Sequence, residues 1–269
     1  MKIIRLASRE NPLDCIASVV LYKNPRAMIE NVVNSFLNTD LNVKLYVIDN
    51  SPMSLPSFVL GDTPVFYHHV GQNLGYGKAH NWCISRCEPS RYYLVLNPDV
   101  ILSKGVLEEL IEYMDAHPDL GMISPRVLNE DQTLQYLNKR HPTLLDLFLR
   151  RFYRERRFSK YLRKRLDHYE MRDNGYDRIC EVPFITGAFM FCRTSVLKAV
   201  GGFDPRYFMY FEDADLSREI QRIGYKTVYY PHVHITHLWQ RASRKRIKMA
   251  MIFIRSGVQY FRKWGWKLY

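Results

Sequence analysis

Three carboxylates, Glu212, Asp213 and Asp215, fall within four residues, directly after an aromatic run at Tyr207, Phe208, Tyr210 and Phe211. Acids in the first turn of a helix are stabilised by its macrodipole, each by about 0.3–1 kcal/mol, so their presence needs no chemistry to explain it. The aromatic approach changes what they can do. It leaves the acids partly desolvated, and both desolvation and a neighbouring acid raise a carboxylate pKa toward the range in which a general base works. One of the trio can then take a proton from a hydroxyl, while the others anchor or orient.

A second candidate is Asn97-Pro98-Asp99. All three residues are turn formers, so the tripeptide reads as the end of a strand. It reads also as a carboxylate, stiffened by proline, that binds a divalent cation whose open positions take phosphate oxygens. His232, His234 and His237 alternate closely after the final apolar run. Histidines without a carboxylate make no metal site, but a chain end folded over the same rim would bring one of them, with His237 preferred, to Asp99. Asn73, Gly75, Gly77 and Asn81 lie in a loop that leads into a helix, where small residues let the backbone approach a nucleotide. Lys78 works against the dipole of that helix and suits a phosphate or an acid.

The elements that must position these groups follow from periodicity. Cys15 to Tyr22 is a β-branched apolar run, Pro25 to Leu37 has helical spacing, and Val43 to Ile48 is a strand that stops at Asp49-Asn50-Ser51-Pro52. Val65 to His69 and Tyr92 to Leu96 are further strands, with a helix to Cys87 between them. Ser103 is a candidate N-cap for a helix to His117. Strands alternating with helices predict an α/β fold with a doubly wound, mostly parallel sheet, whose ligands sit at the carboxyl ends of the strands. Asp49 and Asp99 both fall there. In the second half, Thr143 to Leu166 reads as helical and basic, Arg193 to Val200 as a short helix, the acids as the start of a helix to Ile223, and Lys226 to Tyr230 as a last strand before Pro231.

The net charge of +12 is not spread evenly. Arg150 to Arg165 holds nine basic residues against Glu155, and Arg241 to Tyr269 holds nine against none; the remainder carries 21 basic and 26 acidic side chains. Charge gathered in two segments points to two binding surfaces. Five cysteines without paired metal-site spacing, and no leader-like N-terminus, argue for a reducing, bacterial-type cytoplasm. No apolar stretch reaches the roughly 20 residues of a spanning helix.

Read together, the motifs V-I-D-N-S ending at Ser51, N-L-G-Y-G-K-A-H-N from Asn73, L-N-P-D ending at Asp99, I-T-G-A-F-M-F-C-R from Ile185, V-G-G-F-D-P-R-Y-F-M-Y-F-E-D-A-D-L from Val200 and H-L-W-Q-R-A-S from His237 resemble those of family 2 glycosyltransferases. More narrowly they resemble bacterial rhamnosyltransferases of O-antigen and related surface polysaccharide synthesis. The resemblance implies the GT-A fold over 1–237, with a basic helical insertion at about 143–170 and a basic amphipathic segment at 238–269 that associates with a membrane. It also implies that Asp49, Asn73, Gly75, Lys78, Asn97 and Asp99 bind a nucleotide sugar, and that Asp99 and His237 hold Mg2+ or Mn2+. The usual D-x-D is N-P-D here, so Asn97 stands in place of the first acid and the metal leans on His237. Asp213 would be the base of an inverting displacement, supported by Glu212 and Asp215, with Gly187 and Ala188 on the acceptor side. The implied donor is dTDP-rhamnose, with UDP-hexoses as the alternative, and the implied acceptor is a glycan on polyprenyl diphosphate.

From Arg244 onward, Ile247, Met251, Ile254, Val258 and Phe261 form one helical stripe flanked by Lys245, Lys248, Arg255, Arg262 and Lys263, with Trp264 and Trp266 at the end. This reads as a packing helix with a solvated basic face, or as a helix lying in the interface of an anionic membrane. The resulting expectation is a peripheral enzyme on the cytoplasmic face. A non-catalytic carbohydrate- or nucleotide-binding protein on the same fold is the rival reading, and nucleic acid is not expected as a partner because no reader motif is present.

Overall fold

The computed structural model of the protein describes residues 12–55, 64–152, 160–238 and 247–269. Residues 153–159 of the first basic run, Trp239 and Ser243 of the H-L-W-Q-R-A-S string, and Arg244 and Lys245 lie outside these residues.

The apolar runs form the strands expected of them: β1 (Leu13–Leu21), β2 (Val43–Asp49), β3 (Val65–His69) and β4 (Ser90–Leu96). Between them lie α1 (Arg26–Leu37) and α2 (Tyr76–Ile84). Then follow β5 (Val100–Leu102), α3 (Val106–Ala116), β6 (Leu120–Leu128), α4 (Leu144–Phe152), α5 (Lys160–Tyr169), β7 (Cys180–Glu181), β8 (Phe189–Arg193), α6 (Thr194–Ala199), α7 (Glu212–Arg222), β9 (Lys226–His237) and α8 (Ile247–Trp264). The strands make one sheet in the order β3-β2-β1-β4-β8-β6-β9-β5, with β7 also paired to β9. β1 runs parallel to β2 and β4, β2 to β3, and β6 to β9, whereas β8 is antiparallel to both β4 and β6.

Helices cover both faces. Ile29, Val32 and Phe36 of α1 and Leu107, Leu110 and Met114 of α3 pack on one side. Ala79 and Cys83 of α2, Leu197 of α6, and Leu216 and Ile220 of α7 pack on the other. With both faces covered, β1 and β4 are apolar along their length instead of alternating. A third cluster joins Phe184, Tyr207, Phe211 and Ala214 to Tyr260 and Phe261 of α8.

Three local expectations differ from the structure. Ser103 does not cap α3: the residue before the helix is Gly105, left-handed at φ 84°, and the amide of Val106 reaches back to the carbonyl of Ser103. The last strand does not stop at Pro231. The pairing with β6 jumps from Tyr230 to His234, and this irregularity takes up the proline that has no N–H for the ladder. The stripe on α8 also divides: Ile247, Met251 and Ile254 are exposed, while Phe261 is buried in the third cluster, with Trp266 stacked on it past the turn at Gly265.

Phe191 is fully buried between Leu94 and Ile123 of the neighbouring strands, with its ring stacked on Tyr92 at 5.1 Å. Phe191→Ala is expected to cost about 3–5 kcal/mol, read from denaturant unfolding at unchanged m-value.

Candidate active site

Strand order reverses around β1, with β2 on one side and β4 on the other, so a crevice opens at their carboxyl ends. Asn97 follows β4 directly, and its amide N–H donates to the carbonyl of Ala188 at 3.0 Å. Tyr76, at the first position of α2, donates its hydroxyl to the carbonyl of Gly187 at 2.5 Å and lies 3.0 Å from the side-chain amide of Asn97. The N–H of the same Gly187 donates to Oδ2 of Asp213 at 3.0 Å. A single chain of contacts thus runs from the N-P-D turn through Tyr76 and Gly187 to Asp213. Gly187 leaves room for it, since a Cβ there would sit 3.3 Å from the Tyr76 hydroxyl.

Asp99 meets His237. Val100 of β5 pairs with His237 of β9, and the amide of Leu238 donates to the carbonyl of Asp99 at 2.8 Å. This register lays Nε2 of the imidazole 3.3 Å from Oδ1 of Asp99. Gln135 fixes the ring. Its Nε2 donates to the carbonyl of His237 (2.7 Å) and to Oδ1 of Asn129 (2.8 Å), so its Oε1, 2.9 Å away, accepts from Nδ1 of the histidine. In the neutral ring Nε2 then carries the lone pair, facing an Asp99 oxygen that is buried without a hydrogen-bond donor. Two lone pairs turned toward each other fit a shared cation, and a ligand histidine held through its other nitrogen is the usual supporting arrangement. Among the described residues no group of three or more His, Cys, Asp or Glu could hold a metal ion. Two protein ligands suit Mg2+ or Mn2+ bound together with phosphate oxygens and water.

The other acids separate. Glu212 is buried, and its Oε2 has no partner. Burial, and then the charge of Asp213, hold its carboxyl well above the usual range. Asp213 is half-buried; burial raises its pKa, opposed by the N–H of Gly187 and by the ammonium of Lys139. Asp215 does not join them. Its oxygens accept from Nζ of Lys263 at 2.8 Å and Nε1 of Trp264 at 2.7 Å, because it lies two residues beyond Asp213 on α7 and points to α8. It anchors that helix and does not support the acid pair directly. The turn that presents the pair is unusual: Tyr210 (φ 71°) and Phe211 (φ 68°) are both left-handed, each costing about 1–3 kcal/mol that surrounding contacts must offset.

On the β1–β2 side, Asp49 is fully buried, and its two oxygens accept from the amide of Ser51 (2.8 Å) and the hydroxyl of Tyr67 (2.6 Å). Burial and this bond push the Tyr67 phenol up to about 12. The carboxylate expected to meet a nucleotide base therefore has both oxygens bound within the protein. Asn73 is exposed and accepts from the amide of Gly75 at 2.9 Å, while Lys78 is exposed on the first turn of α2. Gly75 has φ 88°, and its close neighbour is the carbonyl of Phe208, which accepts from the amide of Tyr76. Ala188 is buried and acts through its carbonyl.

A family profile described as glycosyltransferase like family 2 matches residues 19–251. The chain is a family 2 glycosyltransferase. Related sequences include the N-acetylglucosaminyl-diphospho-decaprenol L-rhamnosyltransferase of Mycobacterium tuberculosis, 28% identical over 83% of this chain and 76% of the relative. The rhamnosyltransferase WbbL of Escherichia coli is 25% identical over 78% of each chain. Among solved structures, GalNAc-T7 with UDP, GalNAc and Mn2+ superposes with a TM-score of 0.62 at 12% identity. The mannosyltransferase PcManGT from Pyrobaculum calidifontis with GDP-Man and Mn2+ superposes at 0.61 and 13%. This chain spans 44% of the first structure and 65% of the second, and these likenesses establish the GT-A fold.

Two residues of this candidate site, Gln135 and Lys139, carried no sequence signal, and Tyr76 stood only as part of the N-L-G-Y-G-K-A-H-N string. Gln135 and Tyr76 matter through hydrogen bonds to residues distant in sequence: Gln135 to the carbonyl and ring of His237, Tyr76 to Asn97 and Gly187. Lys139 is buried over the ring of Phe184 (5.2 Å), with its pKa pushed down to about 7 by burial and then by Arg150. In sequence it stands beside Arg140, outside the two basic segments.

A Cβ on Gly75 would lie 2.2 Å from the carbonyl oxygen of Phe208. Gly75→Ala is expected to destabilise the fold by about 1–3 kcal/mol and to part the Asn73 loop from the Phe208 turn. A thermal melt within about 1 °C of the parent would contradict that close approach.

Proposed function

We propose that this glycosyltransferase moves L-rhamnose from dTDP-rhamnose, with inversion, onto a saccharide carried by a polyprenyl diphosphate, at the cytoplasmic surface of a membrane. Both relatives named above are rhamnosyltransferases, and the mycobacterial one is named for a diphospholipid acceptor. The observation that supports the reading is the contact chain from Asn97 through Tyr76 and Gly187 to Asp213, which joins the N-P-D turn to the acid-rich start of α7.

In this reading Asp99 and His237 hold Mg2+ or Mn2+, which when bound offsets the charge of the donor diphosphate. Asn97, Asn73, the Gly75 backbone and Lys78 line the donor side, and Asp49 acts there by shaping the turn at Ser51. Asp213 takes the proton of the acceptor hydroxyl as it attacks the anomeric carbon. The N–H of Gly187 keeps one Asp213 oxygen oriented for that role. Burial, and then the charge of Asp213, disfavour the charged form of Glu212 and so favour a single negative charge at the base.

The raised pKa of Asp213 sets the pH dependence. A base whose folded-state pKa lies above the ordinary carboxylate value is ionised at high pH and lost as pH falls through that raised value. The rate is therefore expected to drop on the acid side at a pH above about 4. Asp213→Asn is expected to remove at least about 1,000-fold of kcat while the Kd for dTDP-rhamnose changes less than about 3-fold. Equal loss of binding and turnover would defeat the base assignment.

The membrane reading rests on α8 and α4. Ile247, Met251 and Ile254 stand exposed in a row beside Lys248 and Arg255, and Phe148 is exposed on α4. The backbone amides of Leu144 and Leu145, at the start of α4, donate to the carbonyls of Lys267 and Leu268, so the two basic segments adjoin. Among the described residues no helix is long and apolar enough to cross a membrane. An apolar row between cations matches the interface of an anionic bilayer. Sedimentation with vesicles of anionic phospholipid is expected at low salt and is expected to weaken as salt rises; no sedimentation at low salt would remove the proposal.

A further inference from the structure

We infer that α8 is a positioning part of the catalytic centre: its Ser256–Gly257 face and Lys263 hold the left-handed turn that aims Glu212 and Asp213. The inference rests on the assignment of Asp213 as the base and adds to it the group that keeps it in place.

The turn has little support of its own. Tyr210 and Phe211 are both at positive φ without being glycine, and α7 begins immediately after them with no side-chain cap. Beyond the bond from the Tyr76 amide to the Phe208 carbonyl, its support comes from α8. The hydroxyl of Ser256 donates to the carbonyl of Met209 at 2.8 Å, just before the turn. Gly257 has no side chain at the point where α8 crosses Phe211, and a Cβ there would meet the ring at 3.4 Å. Phe253 and Tyr260 flank that ring at 5.1 and 5.5 Å, and Phe253 also meets Tyr210 at 5.5 Å. Just past the turn, Asp215 is held by Lys263 and Trp264. Lys263 also reaches Asp204 at 3.3 Å and Glu219 at 2.8 Å, so one ammonium ties α8 to the loop before the turn and to the helix after it.

The turn is thus gripped from both sides by one helix, and that helix touches neither Asp213 nor Glu212 through any contact described. The approach is made at a small residue pair: the Ser256 hydroxyl reaches the Met209 carbonyl, and Gly257 lies against the Phe211 ring, where a Cβ would be in ordinary contact. The opposite face of α8 bears the exposed row proposed above to lie on lipid, so the bilayer and the base stand one helix apart.

The test compares the full chain with Ser256→Ala, Lys263→Met and Lys263→Arg. Hydrogen–deuterium exchange at the amides of 208–215 is measured beside kcat, the Kd for dTDP-rhamnose and the acid limb of the pH–rate profile. Ser256→Ala and Lys263→Met are expected to speed exchange at 208–215 on the order of 10-fold while β1, β2 and β4 keep their protection. They are expected to lower kcat by about 10-fold to 100-fold at unchanged donor Kd, and to move the acid limb to lower pH as Asp213 gains water. Lys263→Arg, which keeps the charge, restores most of the rate. Unchanged exchange at 208–215 in both variants overturns the inference. So does faster exchange across the whole sheet with a normal rate for the protein that remains folded, because α8 then serves only stability. If Asp213→Asn proves active, the base assignment falls alone, since the exchange measurement reads the hold of α8 on the turn without any turnover.

Discussion

The backbone of one residue, Gly187, ties the two halves of the cleft together. Its carbonyl lies under the hydroxyl of Tyr76 on the α2 side, and its N–H bonds Asp213 on the α7 side. Tyr76 is in turn fixed by the bond from its own amide to the carbonyl of Phe208, so the first turn of α2 meets the turn before α7 directly and the start of α7 through Gly187. A hydrogen bond of this kind contributes only about 1 kcal/mol net to stability, yet leaving a buried partner unmet costs about 1–3 kcal/mol. The consequence is directional. The arrangement has a modest gain when closed and a larger penalty when opened, so Asn97, Gly187 and Asp213 keep one relative geometry.

Much of the frame was legible because it rests on local pattern. β1 to β4 and α1 were bounded to within a residue or two by apolar runs and turn formers, and the acid-rich start of α7 stood out by composition, whereas β6 was not read as a strand. What escaped depends on partners remote in sequence. β5 is three residues long and exists because β9 runs past Pro231 to meet it, which the proline argued against. That extension is also what brings His237 to Asp99, so the pairing was expected from a motif and explained only by the register.

Asp49 and Asp215 show the limit of reading acids by position alone. Asp49 does sit at the carboxyl end of a parallel strand, as a ligand-binding acid would, but Tyr67 of β3 and the Ser51 amide satisfy it. Asp215 belongs to the same acidic triplet as Asp213. An α-helix turns about 100° per residue, so positions two apart face away from each other, and the spacing itself excludes a common site. The stripe on α8 failed for a related reason: periodicity marks an apolar face but not how much of it a returning chain end covers.

The acids around α7 then sort by environment more than by residue type. Burial alone would raise both Asp204 and Glu219. The bonds of Arg206 bring Asp204 down to about 2, and those of Lys263 and Arg222 lower Glu219. Glu212 has no such cation and stays far above its ordinary value, while Asp213 is raised with Lys139 and the N–H of Gly187 in opposition. Cations hydrogen-bonded to Asp204 and Glu219 make those acids structural anions, while among the described residues the inner pair has no bonded cation, only Lys139 at longer range from Asp213, and stays responsive to protons. A uniform supply of arginines along α7 would have stabilised every carboxylate equally, and would have left none of them suited to take a proton near neutral pH.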